Sequence, residues 1–183
     1  SIRSVLRKYS PDVVFNATAY TAVDKAEAEI ELAEAINGRG PGILAEEARQ
    51  RDALLFHYST DYVFDGEKGQ PYIEADSPNP LSSYGRTKLH GEEAVSQVDG
   101  NYLIFRTSWV YGLQSDSGFV KKALEWSRHH ETLKVVDDQI SNPTWARMLA
   151  EMTVRVLEKG TDFIAERKGL YHLAGSGFAS RYE

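Results

Sequence analysis

Short apolar runs rich in β-branched and aromatic residues alternate along the chain with longer segments that have the spacing of amphipathic helices. The runs predict strands at Val13–Phe15, Leu54–Tyr58, Tyr102–Phe105, Leu133–Val136 and Leu170–Leu173. The longer segments predict helices at about 23–36, 41–51, 83–98, 118–130 and 144–159. Because such alternation is typical of βαβ units around a parallel sheet, the pattern predicts an α/β fold.

Two long loops, 61–82 and 137–143, interrupt this alternation. Loops after parallel strands lie at the carboxyl edge of the sheet, where doubly wound folds bind their ligands. The glycine-rich stretch 38–42 follows a helical segment rather than a strand, and Pro41 lacks the N–H that a phosphate cradle needs. We therefore predict that this stretch is a turn between two helices.

Composition narrows the possible functions. With 183 residues, 42% of them hydrophobic, the chain can bury a sizeable core. Lys and Arg number 21 against 27 Asp and Glu, so we expect no nucleic-acid partner. No apolar stretch approaches the roughly 20 residues that span a bilayer, so we expect no membrane contact and a cytoplasmic location. The absence of Cys excludes thiolate chemistry, and the five His have no metal-site spacing, so no metal site is predicted.

The candidate chemistry lies in the segment 84–88, where Tyr84 and Lys88 are four residues apart and therefore share one face of the predicted helix. A phenol with a pKa of about 10 donates its proton poorly at neutral pH, and a nearby ammonium brings that pKa down. Such a pair could protonate the alkoxide that forms when a ketone is reduced. The same spacing also fits an exposed Tyr packed along a Lys stem.

The context of this pair favours the catalytic reading. The run 57–66 ends a buried strand with the hydroxyls of Ser59 and Thr60, which could hydrogen-bond a substrate carbonyl. Further motifs follow in order along the chain: 16–27, 59–66, 80–88, 106–112, and 137–139 with 142–144. With these motifs the chain resembles the dTDP-4-dehydrorhamnose reductase family, a branch of the extended short-chain dehydrogenases.

The resemblance implies a doubly wound, Rossmann-like parallel sheet and part of a small substrate-binding domain. It implies reduction of the 4-keto group of a dTDP-linked 6-deoxyhexose, the step from dTDP-4-dehydrorhamnose to dTDP-L-rhamnose, with NADP(H) or NAD(H) as cofactor. Some relatives use Mg²⁺, but no carboxylate cluster here has metal-site spacing. Two alternatives stay open: a non-catalytic regulatory subunit that binds a partner enzyme, and a reductase of another nucleotide sugar.

Carried over to this sequence, the resemblance implies that Tyr84 is the proton donor and that Lys88 positions the nicotinamide ribose and tunes Tyr84. Thr60, as a catalytic residue, and Asp61 would contact the sugar. Trp109 corresponds to the family's aromatic residue on the substrate side, although a Trp beside a strand can equally be a core residue.

Thr18, Ala19 and Thr21 would line the cofactor after the first predicted strand, where the dinucleotide passes close to the strand ends. Asn16 is equally well explained as a buried amide that closes the turn. Three more polar residues could grip the ligand, or equally cap a loop or pair with a carboxylate: Arg106, Gln139 and Asn142.

One position separates reduction from dehydration. Related nucleotide-sugar dehydratases carry an Asp-Glu pair directly after the Thr that corresponds to Thr60, and here the pair reads Asp61-Tyr62. A phenol in place of the carboxylate removes the expected base, so the sequence favours simple reduction.

The glycine-rich turn with which the family begins has no counterpart in this sequence, so we expect the chain to lack the first strands of the fold. The resemblance divides it into residues 1–136, the later part of the cofactor-binding domain, and residues 137–183, part of the substrate-binding region interleaved with the last Rossmann elements. We expect the open edge of the strand Val13–Ala17 to be covered by further strands of the protein or by another chain, such as a second copy in a homodimer.

Overall fold

The computed structural model describes residues 1–112 and 118–182. The chain forms two compact units. The first comprises Ser1–Arg106 and Lys159–His172, and the second comprises Thr107–Glu158 and Leu173–Glu183. The chain leaves the first unit after Arg106 and returns to it at Lys159, where it adds a last helix and strand. The division at residue 136 into a cofactor-binding part and a substrate-binding part stays a prediction.

A parallel sheet organises the first unit. Its strands are β1 (Val13–Asn16), β2 (Leu54–Thr60), β3 (Asn101–Thr107) and β7 (Gly169–His172), and they lie in the order β1-β2-β3-β7. β1 pairs in parallel with β2, and β3 pairs in parallel with β7. The predicted α/β fold class is confirmed.

Helices α4 and α5 pack on one face of this sheet. The helices of the first unit are α1 (Ile2–Tyr9), α2 (Val23–Ala26), α3 (Ile30–Ala33), α4 (Gly40–Arg49), α5 (Ser83–Gln97) and α8 (Thr161–Ala165). Leu55 of β2 and Ile104 of β3 form a core cluster with Ala45 and Ala48 of α4 and Val95 of α5. This packing places one face of α5 against the strands that end at the candidate site.

The predicted turn at residues 38–42 is wrong. A π-helical turn, Glu34–Arg39, joins α3 directly to α4, and the helix predicted at 23–36 divides into α2 and α3 instead. In an α-helix the carbonyl of Asn37 would accept the N–H of residue 41, but Pro41 has none, and a wider turn accommodates this loss. Helix α5 packs closely against the backbone carbonyl of Asn37 instead. A Cβ added to Gly91 would lie 2.1 Å from the oxygen of that carbonyl. Glycine is therefore required at position 91.

The second unit has short strands and two longer helices. β4 (Val110–Tyr111) pairs in parallel with β6 (Thr144–Trp145), and β5 (Ile140–Ser141) pairs antiparallel with β8 (Ala179–Ser180). The helices are α6 (Phe119–His129) and α7 (Ala146–Leu157). The helices predicted for this region are confirmed to within two residues at each end.

The strand predicted at Leu133–Val136 is wrong, since this segment is not part of any sheet in the described chain. A strand needs a neighbour to satisfy its backbone groups, and both Leu133 and Val136 are exposed at the surface. Across residues 1–112 and 118–182, no helix has the length and apolar character to cross a membrane.

The strand β1 forms one end of the sheet in the first unit. Phe15 stacks on Phe56 of β2 with 5.0 Å between ring centroids, yet it remains 49% exposed. The partner that we expect along this edge stays a prediction.

Candidate active site

The start of helix α5 is fixed by two side chains. The Ser82 hydroxyl accepts the Gly85 N–H at 3.0 Å and so caps the helix. The Glu27 carboxylate accepts both the N–H and the hydroxyl of Ser83, each at 2.7 Å, and these bonds lower the pKa of Glu27. Because orphan N–H groups at a helix start need such acceptors, these bonds fix the first turn of α5, which carries Tyr84.

A close backbone approach brings this helix start to the end of β2. A Cβ on Gly85 would lie 2.2 Å from the Tyr62 carbonyl oxygen, which belongs to the 3₁₀ turn Asp61–Val63. The Tyr62 ring meets the Tyr84 ring edge-on, with 5.5 Å between centroids. Glycine at position 85 thus allows the phenol of Tyr84 to reach the carboxyl end of the sheet.

Thr60 and Tyr84 meet at this point. The Thr60 hydroxyl accepts the Tyr62 N–H at 3.2 Å and donates to the Asp61 carboxylate at 3.2 Å. Burial raises the pKa of Tyr84 to about 12; Asp61 and Tyr62 also raise it, and the Thr60 hydroxyl lowers it. The direction is opposite to the one expected from a neighbouring ammonium, so Tyr84 is a neutral phenol at pH 7.

Lys88 lies one turn further along α5 and is 2% exposed. Its Nζ donates to the Tyr58 carbonyl of β2 at 2.6 Å. Burial lowers the pKa of Lys88 to about 8, while Glu92 raises it. The ammonium is therefore directed at a strand carbonyl beside the site, and its predicted effect on the Tyr84 phenol stays a prediction.

The candidate cofactor residues Thr18, Ala19 and Thr21 lie in the loop that follows β1, at the same edge of the parallel sheet as the end of β2. The Asn16 Oδ1 accepts the hydroxyl of Thr18 at 2.7 Å and its N–H at 3.3 Å. Asn16 is buried, so the interpretation as an amide that closes the turn is confirmed. These two hydrogen bonds fix the start of the loop at Thr18.

The amide nitrogen of Asn16 contacts the His57 ring. Asn16 Nδ2 lies 2.9 Å from His57 Nδ1, and burial, with Lys88 nearby, lowers the pKa of His57 well below its usual value. A neutral imidazole can accept through Nδ1, so the amide nitrogen donates to His57. The loop residue Thr18 is thereby tied through Asn16 to the centre of the sheet.

Asn37, which our sequence reasoning missed, ties the same loop to α5. Its Oδ1 accepts the Tyr20 N–H at 2.8 Å, and its Nδ2 donates to the Tyr20 carbonyl at 3.1 Å and to the Thr87 hydroxyl at 3.2 Å. Thr87 precedes Lys88, so one buried amide joins the candidate cofactor loop to α5. Nothing in the local pattern signals this role, because Asn37 lies inside a helix and all its bonds are tertiary.

Comparison with known proteins shows the family. The whole chain, residues 1–183, matches the family described as the RmlD substrate binding domain. The chain belongs to this RmlD family. The family and fold predicted from the sequence are confirmed.

Relatives of the RmlD family share both sequence and structure with the chain. The dTDP-4-dehydrorhamnose reductase of Burkholderia thailandensis is 40% identical over 186 residues, which are 98% of this chain and 61% of that protein. A crystal structure of a dTDP-4-dehydrorhamnose reductase from Clostridium acetobutylicum matches with a TM-score of 0.91 at 39% identity, over 99% of this chain and 62% of the other. That of Bacillus anthracis, solved in complex with NADP, matches with a TM-score of 0.89 at 34% identity, over 98% and 61%. The chain thus spans about three fifths of the length of these relatives.

In this RmlD-family chain, Trp109 belongs to the second unit. Its φ of 39° is a left-handed conformation that side-chain-bearing residues rarely adopt, and its carbonyl accepts the Thr144 N–H at 3.2 Å. The guanidinium of Arg181 lies over the Trp109 ring at 4.2 Å and over the Phe119 ring at 4.7 Å. Trp109 is half-buried rather than a core residue, and its contact with the sugar stays a prediction.

The remaining polar candidates are engaged within the protein. Arg106 forms a buried pair with Glu92. Gln139 accepts from Arg181 Nε at 3.4 Å, and Asn142 donates to the Gly177 carbonyl. The alternative roles considered for these residues, loop holding and carboxylate pairing, are therefore the ones that the structure displays. Within the described residues, no group of three or more His, Asp or Glu is arranged to hold a metal ion.

Proposed function

We propose that the chain carries the catalytic centre of an NAD(P)H-dependent reductase that converts the 4-keto group of a dTDP-linked 6-deoxyhexose to an alcohol, as in dTDP-4-dehydrorhamnose to dTDP-L-rhamnose. The observation that carries the proposal is the cluster of a half-buried neutral phenol, a strand-end hydroxyl and a buried ammonium at the carboxyl edge of the sheet. Relatives named dTDP-4-dehydrorhamnose reductase support this choice of substrate.

The protein's own groups suit the protonation step. A carbonyl that accepts hydride becomes an alkoxide, and Tyr84 then donates its phenolic proton to that oxygen. Because burial keeps Tyr84 protonated, the proton is present when the charge develops. The Thr60 hydroxyl, which lowers the pKa of Tyr84, favours the phenolate that remains and can also orient the substrate oxygen. Tyr84 recovers its proton from solvent.

The chain's residues fit a nicotinamide ribose. Thr18, Ala19 and Thr21 stand on a loop whose position is fixed by the buried amides of Asn16 and Asn37. Together with Lys88 they would hold the ribose hydroxyls. When bound, the reduced nicotinamide supplies the hydride. The NADP complex of the Bacillus anthracis relative supports this assignment.

The neighbour of Tyr84 supports reduction rather than dehydration. Tyr62 occupies the place of the dehydratase glutamate, and its ring lies against Tyr84. A phenol at this position cannot take a proton from carbon at neutral pH as a carboxylate would. The site therefore has a donor for the alkoxide and no base for removal of water at that position.

The test is turnover of dTDP-4-dehydrorhamnose by the full-length protein with NADPH or NADH, followed through the loss of nicotinamide absorbance. Tyr84→Phe keeps the ring against Tyr62 and removes only the hydroxyl, so kcat should fall by about a hundredfold to ten-thousandfold. Tyr9→Phe, which removes the hydroxyl of an exposed residue on α1, is the matched control and should keep wild-type activity.

Two results would contradict the proposal. Equal turnover by wild type and Tyr84→Phe would show that another group donates the proton. Equal inertness of both proteins would favour the regulatory-subunit alternative. Turnover only of a nucleotide sugar with another base or hexose would keep the chemistry and change the substrate.

The proposal extends to partners and location. The substrate is the small-molecule partner, and the open edge of β1 is where we expect further strands or a second chain to pair. Homodimer formation and a cytoplasmic location stay predictions.

A further inference from the structure

A buried ion pair lies directly behind the proposed catalytic residues. Tyr84, Lys88 and Glu92 follow one another at four-residue intervals, so they share one face of α5. The Glu92 side chain is 4% exposed and that of its partner Arg106 is 6% exposed. Nothing in the proton transfer described above uses this pair.

The Glu92 carboxylate is held by two strands. Arg106 of β3 donates from Nε to Oε1 at 3.0 Å and from Nη2 to Oε2 at 2.6 Å. The Ser59 hydroxyl at the end of β2 donates to Oε1. Arg106 is itself held over the Phe64 ring, with 4.9 Å between guanidinium carbon and ring centroid. The carboxylate therefore has a fixed position one helix turn from Lys88.

Such a pair is a poor way to gain stability. Removing two charges from water costs several kcal/mol per ion, and well-packed apolar residues of similar volume are often as stable or more so. A buried charge next to a candidate catalytic lysine is better explained by what it does to that lysine.

Other titratable groups lie on the elements that pack against this part of α5. They are His57 and Tyr58 on β2, Asp61 and Tyr62 in the turn after β2, Arg106 on β3, Glu27 after α2, and Glu34 in the π-helical turn. Glu27 is bound to Ser83, and Glu34 is paired with His90 at 2.9 Å. His57 is neutral, because burial and Lys88 lower its pKa. Glu92 is the group whose charge favours the ammonium form of Lys88.

We propose that Glu92, fixed by Arg106 and Ser59, is a positioning residue that keeps Lys88 charged and directed at the Tyr58 carbonyl while the site binds its ligands. The inference rests on the proposed function for its catalytic meaning. Without the Glu92 charge, burial would act on Lys88 unopposed and favour its neutral form. A neutral amine would bind the ribose hydroxyls or a Tyr84 phenolate more weakly than an ammonium does.

The experiment measures the protonation of Lys88 directly by NMR. Full-length protein is labelled with ¹³C at the lysine ε carbon, the Lys88 signal is assigned by its loss in Lys88→Met, and its titration is followed between about pH 6 and 10. Glu92→Gln keeps the size of the side chain and removes the charge. We expect the Lys88 midpoint at about 8 in the wild type and about one unit lower in Glu92→Gln. Glu92→Asp should give a midpoint nearer to wild type than Glu92→Gln does.

A second variant keeps the charge on Glu92. Arg106→Lys retains a positive charge beside the carboxylate, so Glu92 stays ionised and the Lys88 midpoint should stay near its wild-type value. A general loosening of the site would shift both variants alike, so a fall of the midpoint in Arg106→Lys as large as that in Glu92→Gln overturns the proposal. An unchanged midpoint in Glu92→Gln also overturns it. If circular dichroism shows that Glu92→Gln does not fold, Arg106→Lys decides by the same criterion.

Turnover separates this inference from the proposed function. In Glu92→Gln, kcat/KM for dTDP-4-dehydrorhamnose should approach a tenfold loss above the wild-type midpoint and stay near wild type well below the new midpoint. A shifted Lys88 signal in a protein without turnover supports the charge assignment and contradicts the proposed function. Turnover with an unshifted signal contradicts the inference alone.

Discussion

Two glutamates are buried in the first unit, and they are neutralised in different ways. Glu47 of α4 receives Arg3 and Arg7 from α1, at 3.2 and 2.8 Å, and Arg51 at 2.9 Å. Arg3 and Arg7 are 40% and 58% exposed, so these arginines reach in from solvent. Glu92 has instead a buried arginine as its partner and a lysine one turn away.

This difference distinguishes an ion-paired glutamate that joins two helices, Glu47, from one whose charge can act on the candidate site, Glu92. Glu47 joins α1 to α4, and Arg3 and Arg7 can return to water if the carboxylate is lost. The partners of Glu92 cannot, because they are buried in the sheet and helix that form the candidate site. An ion pair with that burial beside a titrating lysine is therefore expected to matter for chemistry as well as for folding.

The largest expected effect comes from Glu92→Ala. It leaves Arg106 buried without its counter-charge, which costs about 3 to 5 kcal/mol of unfolding free energy. Urea unfolding of the full-length protein measures the loss. Glu93→Ala, at the exposed neighbouring position, is the control and should change stability by less than about 0.5 kcal/mol. Similar losses in both variants would show that the pair is not the cause.

Gly91→Ala tests the position of α5 rather than its charges. In an open helix this change stabilises, because alanine has the higher helix propensity. Here the added methyl would lie 2.1 Å from the Asn37 oxygen, so the helix has to shift. We expect a loss of about 1 to 3 kcal/mol in urea unfolding. A gain in stability would mean that α5 approaches the π-helical turn less closely than described.

Glu47→Gln should have a smaller effect, and one that depends on pH. The hydrogen bond with Arg7 is the main cause that lowers the pKa of Glu47 to about 2. A carboxyl whose pKa is lower when folded stabilises the protein above its unfolded value of about 4.5, and this stability is lost as the pH falls towards 2. The difference in urea midpoint between wild type and Glu47→Gln should therefore shrink between these two values. A constant difference would contradict the role of the charge.

Much of the fold could be predicted from the sequence where a pattern was long and regular. The strand at Leu54–Tyr58 and the helix at 83–98 were predicted almost to the residue, because apolar runs and helical spacing are local signals. The helix through 38–42 could not be predicted, since its glycines and proline are tolerated only through the π-helical turn and the approach of α5. The short run at Leu133–Val136 has strand composition and lacks a neighbouring strand in the described chain.

The candidate site shows the same limit. Tyr84, Lys88 and Thr60 were predicted together, and in the structure Thr60 lies close enough to Tyr84 to affect its pKa. The i+4 spacing that led to Lys88 continues to Glu92, so that residue could have been found from its spacing alone. Asn37 could not, because its partners are distant in sequence.

Ser59→Ala has the smallest expected effect and sharpens the comparison most. It removes a hydrogen bond from the Glu92 carboxylate and leaves both charges of the ion pair in place. Stability should fall by about 1 kcal/mol, and the Lys88 titration should not move, because the charge near it is unchanged. Ser96→Ala is the control, since the Ser96 hydroxyl also bonds to Glu92 but at its backbone carbonyl, 2.8 Å away. If Ser59→Ala shifts the Lys88 midpoint as far as Glu92→Gln does, the position of the carboxylate rather than its charge governs the lysine, and Glu92 acts through geometry that Ser59 maintains.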